Sequence, residues 1–373
     1  MPEPITVPTT IARLINGPSR REGGGGGGGG GSVSAISFMS APSHCRPDLA
    51  IGAARPNPRA ALQEGFMRAF IFPGQGSQSV GMGAELAEAS GAARDVFAEV
   101  DEALGQHLFK LMREGPEADL TLTENAQPAI MAHAIAVFRT LGLAVTKADF
   151  VAGHSLGEYS ALCAAGSFDL ATTARLLKQR GQAMQAAVPV GVGAMAALLG
   201  ADLDKAQAIA DAAAQGDVCA IANDNDPSQV VISGHRTAIE RAIAIAKDHG
   251  AKRAVLLPVS APFHCPLMQP AADVMAEALA STDIKTPAVP VFANVIAAPV
   301  SDPARIRELL VEQVTGMVRW RESVLEMTQA GVTEFVEFGG KVLGPMVKRI
   351  APDAKVTSVI SMDDIEALAK EIA

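Results

Sequence analysis

Gly153-His154-Ser155-Leu156-Gly157 is the stretch of this chain with the plainest chemistry. A serine hydroxyl is a weak nucleophile until a base takes its proton, and G-x-S-x-G presents such a serine at a sharp strand-to-helix turn. The surroundings fit, because an apolar strand is expected over 148–152 and a helix from Glu158. The start of that helix favours the negative charge that develops during acyl transfer. The best base is His264, in Ser260-Ala261-Pro262-Phe263-His264, where Pro262 and Pro266 bracket it and fix a non-helical loop. His154 adjoins Ser155, but side chains that neighbour one another at a sharp turn diverge, so it is expected to pack beneath. The blander readings are a small-residue turn with a capping serine, and a histidine that is structural, as most are.

Two other segments are weaker signals. Gly74-Gln75-Gly76-Ser77-Gln78 follows the first strand, where backbone N–H groups can face an oxyanion together with the N–H of Leu156. It also reads as an ordinary Gly-rich turn, and no G-K-[ST] follows to make it a nucleotide loop. Arg180 falls on a helix expected over 169–187, where an arginine is more often a solvated face than a ligand clamp.

These residues need a scaffold, and the hydrophobic pattern describes one. Strands are expected at 69–72, 148–152, 289–293, 334–338 and 356–360, alternating with helices such as the one over about 125–142. That alternation means a mostly parallel sheet covered by helices. Between them, strands at 192–199, 217–222, 229–233 and 252–259 and helices at 203–214 and 236–248 follow the ferredoxin-like split βαβ order, with Asn223-Asp224-Asn225-Asp226-Pro227 as a turn. The expected architecture is a core of 67–190 and 261–373 with a subdomain of 191–260 inserted in it. A cleft between the two is a natural binding site.

Residues 1–66 stand apart. Nine consecutive glycines, Gly23 to Gly31, cannot hold one conformation, and six arginines face four acids in this stretch. The expectation is a disordered Gly-rich extension or translation begun upstream of Met67. The alternative is an organelle transit peptide, to which a glycine run does not belong.

Composition excludes several classes. With 4% aromatic residues and a net charge of −9, the chain of 373 residues is no nucleic-acid binder, whose footprint would be basic. No apolar run is long enough for a transmembrane helix. The four cysteines (Cys45, Cys163, Cys219, Cys265) have no zinc or C-x-x-C spacing, which fits a reducing cytoplasm. No metal site is expected.

Six motifs in order resemble the malonyl-CoA:acyl-carrier-protein transacylase family, itself similar to the acyltransferase domains of fatty-acid and polyketide synthases. They are Phe72 to Gln78, Gly153 to Glu158, Gln179-Arg180-Gly181, Phe263-His264, Val318-Arg319-Trp320 and Gly340 to Leu343. The resemblance spans about 67–360. It implies an α/β-hydrolase-like core with an inserted ferredoxin-like subdomain. It further implies Ser155 as the acylated nucleophile, His264 as base, the N–H groups of Gln75 and Leu156 as oxyanion hole, and Arg180 as clamp for the malonyl carboxylate. Gln313 matches the position whose carbonyl orients the histidine. The implied reaction is ping-pong transfer from malonyl-CoA to the pantetheine thiol of acyl carrier protein, for fatty acid biosynthesis, by a monomer without cofactor. Gly339-Gly340-Lys341 is one residue shorter than the family's usual Gly-x-Gly-Lys.

Two other functions share these features. A serine hydrolase of thioesterase or lipase type has the same elbow but uses water and has no need of Arg180. A non-catalytic carrier-binding module would need neither Ser155 nor His264. Phe263 resembles the malonyl-selecting pattern, although one methyl group is worth only about 1–3 kcal/mol of discrimination. Because carriers are typically acidic and this chain is too, docking would need a local basic patch, with Lys252, Arg253, Lys341, Lys348 and Arg349 as candidates.

Overall fold

A short apolar strand, β1 (Met67–Phe72), is buried from Ala69 onward and lies at the centre of a six-stranded sheet. The computed structural model describes residues 66–372, so the expected extension lies, apart from Phe66, outside the described residues. The other core strands are β2 (Phe150–Gly153), β7 (Val291–Ala293), β8 (Ala298–Val300), β9 (Val332–Phe338) and β10 (Lys355–Val359). Their order is β10-β9-β1-β2-β7-β8, parallel throughout except for β8 against β7. The fold is therefore α/β with a largely parallel sheet, as the alternating pattern predicts. Phe72 is paired with Gly153, so the loops that leave β1 and β2 emerge side by side.

Aromatic packing fixes this centre. Phe70 and Phe138 both meet Phe338 edge to face, at ring-centre distances of 5.0 and 5.4 Å. Phe138 belongs to the helix Thr123–Leu141, which is buried on every side from Asn125 to Phe138 and not along one face alone. The reason is tertiary: it lies against the sheet and is enclosed by the helices Gly91–Leu104, Gly157–Ala164 and Leu170–Ala187. Among the described residues no helix is long and apolar enough to cross a membrane.

The remaining strands, β3 (Gly193–Leu199), β4 (Cys219–Asp226), β5 (Gln229–His235) and β6 (Arg253–Leu256), form an antiparallel sheet in the order β4-β5-β3-β6. The helices Leu203–Ala214 and Arg236–Ile245 pack on it through Ile209, Ala213 and Ile239. Two expectations fail here. The run 223–226 is not a turn but the end of β4, and Pro227-Ser228 makes the reversal. Its polar side chains are held in tertiary pairs that no local pattern discloses. Asp224 N–H donates to Val318 O at 2.9 Å, Arg321 Nε lies 3.0 and 2.9 Å from the two Asp224 carboxylate oxygens, and Arg349 Nε lies 2.8 Å from Asp226 Oδ2. The last strand also stops short of 259, because Pro258 has no N–H to continue the ladder.

Candidate active site

The turn after β2 is built so that only glycine fits on both sides of the serine. A Cβ on Gly153 would sit 1.9 Å from the Gly157 carbonyl, and one on Gly157 would sit 2.2 Å from Phe72 O. Tight approach to β1 lets the helix Gly157–Ala164 start directly behind the sheet edge. Ser155 itself has φ 54°, in the left-handed region that non-glycine residues rarely occupy. Asn294, just past β7, holds it there: Ser155 N–H donates to Asn294 Oδ1 at 2.7 Å, and Asn294 Nδ2–H donates to Gly153 O at 2.7 Å.

Ser155 Oγ lies 2.7 Å from His264 Nε2. His264 is 4% exposed and also has a left-handed φ, 56°, in the loop after β6. Its Nδ1–H donates to the main-chain carbonyl of Gln313 at 2.8 Å, which leaves Nε2 with the lone pair facing the serine. Burial, aided by the charge of Arg180, lowers its pKa to about 3, so the ring is neutral and able to accept a proton.

Arg180 reaches the same point from the helix Leu170–Ala187 and is 1% exposed. Its Nη1–H donates to Gln127 Oε1 at 2.7 Å, and its Nη2–H to Gln313 Oε1 at 2.9 Å and Ser155 Oγ at 3.2 Å. Its Nε is buried without a partner among the described residues. Its guanidinium carbon sits 5.7 Å from the Tyr159 ring centre. All its hydrogen-bond acceptors are neutral, an arrangement prepared to receive an anion.

The loop Pro73–Gln78 flanks the turn, with His154 N–H donating to Phe72 O at 3.1 Å and Gly74 packed against His154 O. Neither Gln75 N–H nor Leu156 N–H has an acceptor among the described residues. His154 is engaged apart from the Ser155–His264 pair: its Nε2–H donates to Asn225 Oδ1 at 2.9 Å, and its ring meets Trp320 edge to face.

Ser155, His264, Arg180 and Gln313 thus meet at one point, although the last three lie 25 to 158 residues from Ser155 in sequence. Of the five basic residues singled out for docking, Arg349 is held by Asp226 at the β4 edge and Lys348 Nζ by Ala354 O, Lys252 and Arg253 lie at the opposite, β6, edge of the small sheet, and Lys341 follows Gly340, which packs on Pro73.

Three residues of the site carried no role in the sequence reading: Asn294, Gln127 and Glu158. Glu158 is 1% exposed, and its Oε2 accepts from Asn294 N–H at 3.0 Å and Gln313 Nε2–H at 2.8 Å. Burial raises its pKa to about 7, against the pull of those two donors and of Arg180. Its signal was available, since a carboxylate in the first turn of a helix that follows a buried strand is poorly placed to reach water.

A family model described as the acyl transferase domain matches residues 69–340. Over 300 residues the chain is 46% identical to the malonyl CoA-acyl carrier protein transacylase of Bacillus subtilis, covering 80% of this chain and 95% of that one. The crystal structure of an acyl-carrier-protein-S-malonyltransferase from Bartonella henselae superposes with a TM-score of 0.80 at 53% identity, covering 82% of this chain and 99% of that one. A malonyl-transacylase in complex with a type II PKS acyl-carrier protein superposes with a TM-score of 0.79 at 40% identity, covering 82% and 99%.

Proposed function

The chain belongs to the malonyl-CoA:acyl-carrier-protein transacylase family of acyl transferases, and we propose that it moves malonyl from CoA to the pantetheine thiol of acyl carrier protein through a malonyl ester on Ser155. The observation that carries this reading is a buried guanidinium 3.2 Å from the nucleophile's oxygen, with only neutral acceptors around it. An acyl chain with a free carboxylate supplies the hydrogen-bonded anion that Arg180 lacks among the described residues. A simple hydrolase has no use for it, and relatives named as transacylases support transfer over hydrolysis.

Each half-reaction moves one proton out and back. The Ser155 hydroxyl proton passes to His264 Nε2 as Oγ attacks the thioester carbon. The carbonyl oxygen becomes an oxyanion, received by the N–H groups of Gln75 and Leu156. The C–S bond then breaks, and His264 returns its proton to the CoA sulfur. In the second half the pantetheine thiol gives its proton to His264, attacks the ester, and Ser155 leaves as the hydroxyl. The carbonyl of Gln313 stabilises the imidazolium through Nδ1–H, the part an aspartate plays in a triad. Every step is a proton or acyl transfer between these groups, so the reaction calls on no cofactor.

Residues 67–190 and 261–373 form the catalytic core in this reading, and 191–260 an inserted ferredoxin-like subdomain. All reacting side chains come from one chain, in keeping with a monomer. Supply of malonyl carriers for fatty acid synthesis in the cytoplasm is the accompanying role. Intact-protein mass measurement tests the intermediate: exposure to malonyl-CoA adds one malonyl group, and Ser155→Ala abolishes the gain.

A further inference from the structure

Glu158 sits where the site's positioning bonds converge, and the transfer steps above do not use it. Its Oε2 holds Gln313 Nε2 and Asn294 N–H; Gln313 in turn holds Arg180 and His264, and Asn294 holds the backbone of Ser155. Of the charged or titratable groups that act on it, Tyr159 is its neighbour on the same helix and Arg180 comes from the next helix, while His264, on the loop after β6, is joined to it only through Gln313. The segments carrying Asn294 and Gln313 contribute only neutral amides. Arg180 is therefore the positive charge closest to Glu158 in this pocket, and Glu158 is the carboxylate that favours its charged form.

A malonyl group alters this balance. It brings a second carboxylate to Arg180 in a space closed to water, and two anions around one buried cation leave a net buried charge. Resting on the malonyl-transfer reading, we propose that Glu158 is a positioning residue that serves as the counter-charge of Arg180 before substrate binds and takes up a proton when the acyl chain supplies its own carboxylate. The proton comes from bulk water and goes to Oε1, while Oε2 keeps both of its donors. Burial has already brought the group to about 7, so a small electrostatic change suffices to protonate it. An uncharged acyl group brings no second anion and leaves Glu158 ionised.

The wild-type enzyme tests this directly. Mixed with malonyl-CoA at about pH 7.5 in weak buffer with a pH indicator, it takes up a substantial fraction of one proton per malonyl-serine formed, whereas an uncharged acyl thioester causes no uptake. Its kcat/KM for malonyl-CoA falls by up to about tenfold per pH unit above about pH 7. Glu158→Gln keeps an oxygen for both donors but cannot titrate, so that fall is lost; Glu158→Ala, which removes the oxygen, impairs the enzyme at every pH. Malonyl-serine formation without proton uptake, or an unchanged alkaline fall in Glu158→Gln, overturns the proposal. Absence of malonyl-serine in the wild type overturns the transfer reading instead.

Discussion

Arg180 donates to the side-chain oxygen of Gln313 at 2.9 Å, and the same Gln313 holds the His264 ring through its main-chain carbonyl at 2.8 Å. One glutamine thus sets both the group placed to recognise an acid and the group placed to move a proton. Recognition and chemistry are mechanically joined, and each can be disturbed separately.

Removing the guanidinium separates substrate classes. Arg180→Ala loses malonyl transfer, by on the order of 100-fold or more in kcat/KM, because two charge-assisted hydrogen bonds disappear. Its Ser155 is still acylated by uncharged acyl thioesters, as the serine–histidine pair remains. Arg180→Lys restores little, since an ammonium cannot make the planar fork. Parallel rates with malonyl and acetyl thioesters check this.

Truncating Gln313 acts on the clamp and spares the base. Gln313→Ala retains the carbonyl that orients His264, while Arg180 and Glu158 each lose a partner. The expected loss is about 1–3 kcal/mol in malonyl kcat/KM. The acid side of the pH profile should be unchanged, and steady-state kinetics across pH reads both.

The pH response on the acid side follows from His264. Its pKa is depressed to about 3, so the base form exists throughout the range above that value. Ser155 acylation therefore does not fall as pH drops through about 6.5, where an ordinary histidine would protonate. Single-turnover acylation from about pH 7 to about pH 5 shows no acidic limb.

The join between the small sheet and the core rests on buried acids. Asp224 is 3% exposed and is paired by Arg321 across 97 residues of sequence. Arg321→Ala strands that carboxylate and costs about 2 kcal/mol of stability. Denaturant midpoints of the two proteins, with equal slopes, measure it.

The readable part of the site was local or periodic. Ser155 is announced by flanking glycines whose missing Cβ atoms the structure requires, and the parallel sheet by apolar runs of strand length. The small sheet's strands were also visible, though their ends were not. Asn223 to Asp226 carry turn chemistry, yet they extend a strand because Val318, Arg321 and Arg349 satisfy them from distant segments. The even burial of 125–138 in the helix Thr123–Leu141 depends likewise on three helices whose packing no single window contains. Arg180, read on spacing alone, looks like a surface residue. Only its meeting with Gln127, Gln313 and Ser155 takes it out of solvent, and the clamp role proposed for it rests on the resemblance to a family where periodicity could not supply one.

Partitioning of the acyl group tests the central claim most directly. Enzyme carrying labelled malonyl on Ser155 is freed of CoA and divided between buffer and buffer containing holo acyl carrier protein, and the label is followed with time. The account predicts that the ester persists in buffer and moves promptly to the carrier's thiol when the carrier is present. Release as free malonate, at a rate indifferent to the carrier, would contradict it.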